Sequence, residues 1–181
     1  MSDQLPELLD PRRAVALESR FEGQVPLSQM TRLRPLIESA EAIATYRLDC
    51  GKDLRGYSVI SGQVGAVLEL RCQRCNGLLS LPVDSELALA LVEGVDEASA
   101  LPDDYDPLLF DGQLLRSTEL VEDELILCVP AVPRHAEGSC EPPFPEYFAH
   151  EGDSSDTASQ VNTTRPSPFA ELRDIKRDLK H

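Results

Sequence analysis

Tryptophan is missing from these 181 residues, aromatic residues make up only 5%, and there are two methionines and three histidines. So few rings leave little with which to build a stacking platform for single-stranded nucleic acid. Three histidines and no serine elbow leave little material for hydrolytic catalysis. No apolar run approaches the roughly 18 residues of a membrane-spanning helix, so no membrane role is expected. The first stretch, MSDQLPELLDPRRAV, places acids and Pro6 where a secretion signal needs a basic start and an apolar core. A cytoplasmic location is therefore expected.

Basic residues are also scarce in one region. Residues 1–80 balance ten acids with ten bases, whereas residues 81–164 hold nineteen acids against only Arg116 and Arg134. Residues 165–181 reverse the sign, with five bases and three acids. An acidic middle repels phosphate. It either attracts a basic partner, such as a ribosomal protein, or simply keeps the surface solvated.

What is present describes a soluble globular chain. Its length suits one domain with a tail, and it is 41% hydrophobic and 27% charged. Phe21–Pro26 reads as a short strand. Ser28 is placed to cap a helix over about 28–38, with Met30, Leu33, Leu36 and Ile37 on one face. Alternation over 42–50 and 56–71 reads as antiparallel strands. Residues 79–91 keep Leu79, Leu81, Val83, Leu87, Leu89 and Leu91 on one parity, which predicts a strand with Leu87 and Leu89 mostly inside. Residues 94–107 read as an acidic loop, followed by a turn at Asp111-Gly112. A helix over 117–129 follows, with Val121, Leu125 and Cys128 on one face, stopped by Pro130 and Pro133. The predicted architecture is α+β: a single domain over 1–140 in which an antiparallel sheet packs against helices. Residues 141–165, rich in Pro, Ser, Asp and Thr, read as a flexible acidic linker. Residues 166–181 read as a short amphipathic helix with Phe169, Leu172, Ile175 and Leu179 in a stripe. Phe169, Leu172 and Ile175, with Arg173, Lys176 and Arg177, are candidates for contacting a partner.

The five cysteines stand at 50, 72, 75, 128 and 140. Cys72-Gln73-Arg74-Cys75 is a C-x-x-C on the turn between two predicted strands, where both thiolates can reach one zinc ion. His135 and Cys140, just beyond the rigid Pro130–Pro133 stretch, are the best candidates to complete a tetrahedral Cys3His set around a structural zinc. A redox pair remains an alternative, although such a motif would follow a strand and open a helix. Ordinary loop or core cysteines are the other alternative. Cys50 and Cys128 read as small buried hydrophobes.

Taken in order, these residues resemble a known family. Glu69-Leu70-Arg71-Cys72-Gln73-Arg74-Cys75 closes a strand. Leu101-Pro102 with Tyr105 follows, then the acidic helix Val121–Val129 running into Pro130, Pro133, His135 and Cys140. The chain ends in Pro166-Ser167-Pro168-Phe169-Ala170-Glu171-Leu172. The order resembles the YceD family, named for accumulation of the large ribosomal RNA. The resemblance implies a non-enzymatic bacterial factor supporting synthesis, processing or stability of 23S ribosomal RNA. Many members carry further cysteines after the P-x-x-P element. Here Cys140 is followed by Glu141-Pro142-Pro143, so His135 stands in or the loop is metal-free. The acidic middle fits an adaptor for a basic ribosomal protein or an rRNA-processing factor. The alternative is direct RNA binding through Arg55, Arg71 and Arg74 beside the hairpin.

Overall fold

The computed structural model describes residues Gln4–Glu141. Its centre is a five-stranded sheet in the order β2 (Arg20–Pro26), β3 (Ile43–Lys52), β4 (Ser58–Arg71), β5 (Leu78–Val92) and β6 (Asp106–Leu109). Ahead of it come the two-residue β1 (Leu8–Leu9) and α1 (Pro11–Ala16). The short helix α2 (Val95–Ser99) joins β5 to β6. Finally β7 (Leu115–Arg116) pairs with β1 and leads directly into α3 (Ser117–Cys128). The α+β expectation holds, and so do the strands read at 21–26, 42–50, 56–71 and 79–91.

Alternation explains the single core. Ala44, Tyr46, Leu48 and Cys50 of β3 point to the same side as Ile60, Val64, Leu68 and Leu70 of β4. Ala14 and Val15 of α1 join them in one cluster with Leu120, Val121 and Leu125 of α3. The other parity of the first four strands presents Arg20, Glu22, Thr45, Arg47, Gln63 and Glu86 to solvent. Gly62 lets β3 and β4 approach, because a Cβ there would stand 1.9 Å from the Arg47 carbonyl oxygen.

Four details differ from the sequence reading. Residues 28–38 are not an α-helix but two 3₁₀ turns, Leu27–Gln29 and Arg34–Leu36. Ser28 caps nothing; Pro26 holds the cap position without a side-chain bond. Of the stripe read there, Met30 and Leu33 are fully buried and Ile37 is half-buried, but Leu36 is exposed. The backbone, however, finds other partners. The Glu122 carboxylate of α3 accepts the N–H groups of Arg32 at 2.6 Å and Leu33 at 3.0 Å, and Pro35 restricts the residue before it.

The stretch 94–107 is not all loop, because it holds α2 and the start of β6. β6 pairs parallel with β5, so the sheet is antiparallel only through its first four strands. A parallel neighbour needs a crossover, which the acidic composition concealed. Leu89 is half-buried, whereas Leu87 is buried as expected. Near its end β5 buries Ala90 and Val92 of the opposite parity, and adjacent Val59 and Ile60 are both buried on β4. Both faces of the sheet are covered there, so one-sided parity fails. Apart from Glu141, the linker read over 141–165 and the terminal helix over 166–181 lie outside the described residues, with all six tail candidates.

Candidate metal centre

The β4–β5 pairing runs far past β3. The last β3 partner of β4 is Thr45 opposite Gly65, but β4 and β5 stay paired out to Arg71 opposite Leu78. This hairpin, braced at Glu69 by a bridge to Ser39, carries its turn, residues 72–77, beyond β3. The turn closes on itself. Cys72 N–H donates to the Gly77 carbonyl at 2.9 Å and Asn76 N–H donates to the Cys72 carbonyl at 2.9 Å. Asn76 takes a left-handed conformation, φ 59°, which its short polar side chain tolerates. This geometry aims backbone donors at sulfur. Arg74 N–H reaches Cys72 Sγ at 3.4 Å and Gly77 N–H reaches Cys75 Sγ at 3.4 Å.

The second half of the site arrives on the strap after α3. Pro130 and Pro133 prevent the helix from continuing. Gln73 N–H then donates to the Pro133 carbonyl at 2.8 Å, and His135 N–H donates to Cys72 Sγ at 3.5 Å. His135 Nε2 donates to the Leu78 carbonyl at 2.9 Å, leaving Nδ1 toward Cys75 Sγ at 3.4 Å. Cys140 Sγ lies 3.9 Å from Cys72 Sγ. The structure therefore brings together all four residues singled out from the sequence, their ligand atoms within 4.8 Å of one another, and they could hold a metal ion.

The spacing tests what would fit. Tetrahedral zinc with bonds of about 2.3 Å to sulfur and about 2.0–2.1 Å to nitrogen separates its sulfurs by about 3.8 Å and sulfur from nitrogen by about 3.5 Å. The 3.9 Å between the Cys72 and Cys140 sulfurs and the 3.4 Å from Cys75 Sγ to His135 Nδ1 lie at those separations, and the whole set spans no more than 4.8 Å. The His135 hydrogen bond to a backbone carbonyl is the partner that orients a ligating imidazole.

The electrostatics favour a cation as well. Burial pushes the Cys72 thiol up, but the N–H groups of Cys75, His135 and Arg74 and the Cys75 side chain outweigh it and bring it down to about 5. Cys75 moves the other way. The Gly77 N–H favours its thiolate, but burial and the Cys140 and Cys72 sulfurs together raise it. Cys140 first, then Cys72, raise the His135 imidazole. Sulfurs that compete for negative charge this closely are relieved by a divalent ion among them.

The remaining cysteines and arginines lie elsewhere or do other work. Cys50 is buried in the core and Cys128 is half-buried at the end of α3. Arg55 sits in the turn between β3 and β4, at the opposite end of β4 from Arg71 and Arg74, roughly 40 Å away for a 14-residue strand. It pairs with Asp53 and Asp104 at 3.1 Å each and lies 4.9 Å from the centre of the Tyr105 ring. Arg71 pairs with Glu38 at 2.6 Å. The three arginines do not form one face. Sequence reasoning also missed Arg74 as part of the knuckle; its position between the two cysteines was the available signal.

A five-stranded sheet covered on one face along most of its length and on both near Ala90 and Val92, with a Cys3His cluster at the tip of its longest hairpin, defines an α+β domain with a candidate metal-binding ribbon. The chain belongs to the YceD family of large ribosomal RNA subunit accumulation proteins, whose profile matches residues 60–176. The Large ribosomal RNA subunit accumulation protein YceD of Haemophilus influenzae is 30% identical over 175 residues, covering 95% of this chain and 96% of that protein. No solved structure matches the chain.

Proposed function

We propose that this chain is a non-enzymatic ribosome-biogenesis factor of the cytoplasm that supports synthesis, processing or stability of 23S ribosomal RNA. It acts as an adaptor for a basic protein, either a ribosomal protein or an rRNA-processing factor. The observation that carries the reading is the near-full-length similarity to a protein named for accumulation of that RNA. A structural zinc in the Cys72, Cys75, His135 and Cys140 set ties the strap after α3 to the hairpin. Four protein ligands leave no open position on the metal, which suits a structural role better than a catalytic one. The acids of α3 also form no paired site. Glu122 bonds Arg32 and Leu33, Asp123 pairs with Arg32, and Glu124 accepts from the Ser85 hydroxyl.

Charge supports a basic partner over RNA. Among the described residues, Arg12, Arg20, Arg32, Arg47, Arg55 and Arg71 each pair with carboxylates of the same domain. Segment 93–111 carries Glu93, Asp96, Glu97, Asp103, Asp104, Asp106 and Asp111 and no base. The solvent-facing parity of β2–β5 carries no ring on which a base could stack. The basic tail, with Phe169, Leu172 and Ile175 as apolar anchors and Arg173, Lys176 and Arg177 as charges, adds a second contact in this reading. Pull-down from lysate with and without nuclease, at low and high salt, tests the proposal. A basic protein of the large-subunit pathway that survives nuclease and is lost at high salt is the expected result. Loss of every partner on nuclease treatment would instead favour direct RNA binding.

A further inference from the structure

The side chain of Arg74 turns back into the knuckle. Its Nε donates to Cys140 Sγ at 3.2 Å, and its Nη2 donates to the carbonyls of His135 at 3.2 Å and Ala136 at 2.8 Å. Arg74 thus sits on the same turn as Cys72 and Cys75 but grips the strap that supplies the other two ligands. That strap needs a grip. Residues 136–139 are exposed, with Gly138 at φ 75° and a lone turn bond from Ser139 N–H to the Ala136 carbonyl. Among the described residues, no strand or helix carries Cys140.

Charge gives a second reason. Zinc with three thiolates and a neutral imidazole carries a net single negative charge. Cys72 is fully buried, and a negative charge held beside buried sulfur is costly unless a counter-charge lies against it. The guanidinium against Cys140 is that counter-charge. Its planar fork donates from Nε to the sulfur and from Nη2 to the two carbonyls, a spread of donors that the point-like ammonium of a lysine does not match.

We propose that Arg74 is a positioning residue of the metal centre, holding Cys140 within the ligand set and offsetting the charge of the three-thiolate site. The inference rests on the zinc reading above and goes beyond the four ligands.

Anaerobic cobalt(II) titration of the full chain tests it, using the wild type, Arg74→Gln, Arg74→Lys and Cys140→Ser. The wild type should take up one equivalent and show a charge-transfer band of three-thiolate intensity. Arg74→Gln should bind about 10- to 100-fold more weakly, with its band falling to the two-thiolate level of Cys140→Ser. Arg74→Lys, which keeps the charge but loses the fork, should fall between. Wild-type affinity and spectrum in Arg74→Gln, with the wild type binding normally, would overturn the inference alone. Weakened binding with the three-thiolate band intact would overturn the claim that Arg74 positions Cys140. A wild type that takes up no cobalt would sink the zinc reading and this inference with it. If Arg74→Gln does not fold by circular dichroism, Arg74→Lys decides by the same band.

Discussion

The middle of the sheet and the tip of its longest hairpin are held by different physics. In the middle, Leu48, Ile60, Val64 and Leu68 are fully buried and need only volume and parity to stay in place. At the tip, Cys72 is the one ligand fully buried, while Cys75, His135 and Cys140 are half-buried. Sulfur, imidazole, guanidinium and backbone amides replace hydrocarbon there. The dry region is tolerant of volume-conserving change. The tip depends on several groups being present together. Beyond Leu68 and Leu70, both fully buried, the turn itself has little hydrocarbon to bury, and cross-linking is another way to order it.

Cutting the core should give the largest effect. Leu68→Ala should lose about 2–5 kcal/mol of unfolding free energy, read by urea denaturation. Its metal uptake per folded molecule should stay at the wild-type level; reduced uptake would mean that the two regions are coupled. Raising the pH probes the same core without mutation. Burial, with Asp49 beside it, pushes the Cys50 thiol from 9.0 to about 11. The folded form therefore stays protonated while the unfolded chain ionises. Stability is complete below pH 9 and falls as pH rises toward 11, by about 2–3 kcal/mol in all. Cys50→Ala should remove that slope, and an unchanged slope would assign it elsewhere.

Glu122 lies between the two kinds of region, a carboxylate within the apolar layer. Glu122→Ala should cost about 1–3 kcal/mol, because the Arg32 and Leu33 N–H groups lose their acceptor. Glu122→Gln, which keeps one acceptor oxygen, should cost less, and equal losses would show that the acceptor is not what matters. With zinc bound as proposed, the smallest change in global stability should come from chelating it at neutral pH. Amide exchange should then quicken at 72–78 and 133–140 and stay unchanged in β2 and β3. Uniform quickening would show that the tip supports the whole domain.

Much of the site was legible in the sequence because its signals are local. A C-x-x-C flanked by two alternating runs specifies a hairpin with two sulfurs at its turn, and two prolines after a helix leave few routes for His135 and Cys140. Arg74 was read as a solvent-facing contact because a side chain's direction depends on the strap arriving from some sixty residues away. Residues 28–38 show helical spacing yet fold as 3₁₀ turns, because Glu122, ninety residues on from Arg32, takes their amides.

The sequence by itself determined the four antiparallel strands of the main sheet, their buried parity over most of their length, the helix stopped ahead of Pro130 and the four candidate metal ligands. Each follows from residue period, backbone stiffness or donor chemistry acting over a few positions. Only the tertiary structure decided the parallel edge strand, the second covered face around Ala90 and Val92, the capture of amides by Glu122 and the inward turn of Arg74. Those outcomes depend on which distant group reaches a given atom first, and a backbone amide, a sulfur or a strand edge accepts whichever partner the packed chain delivers.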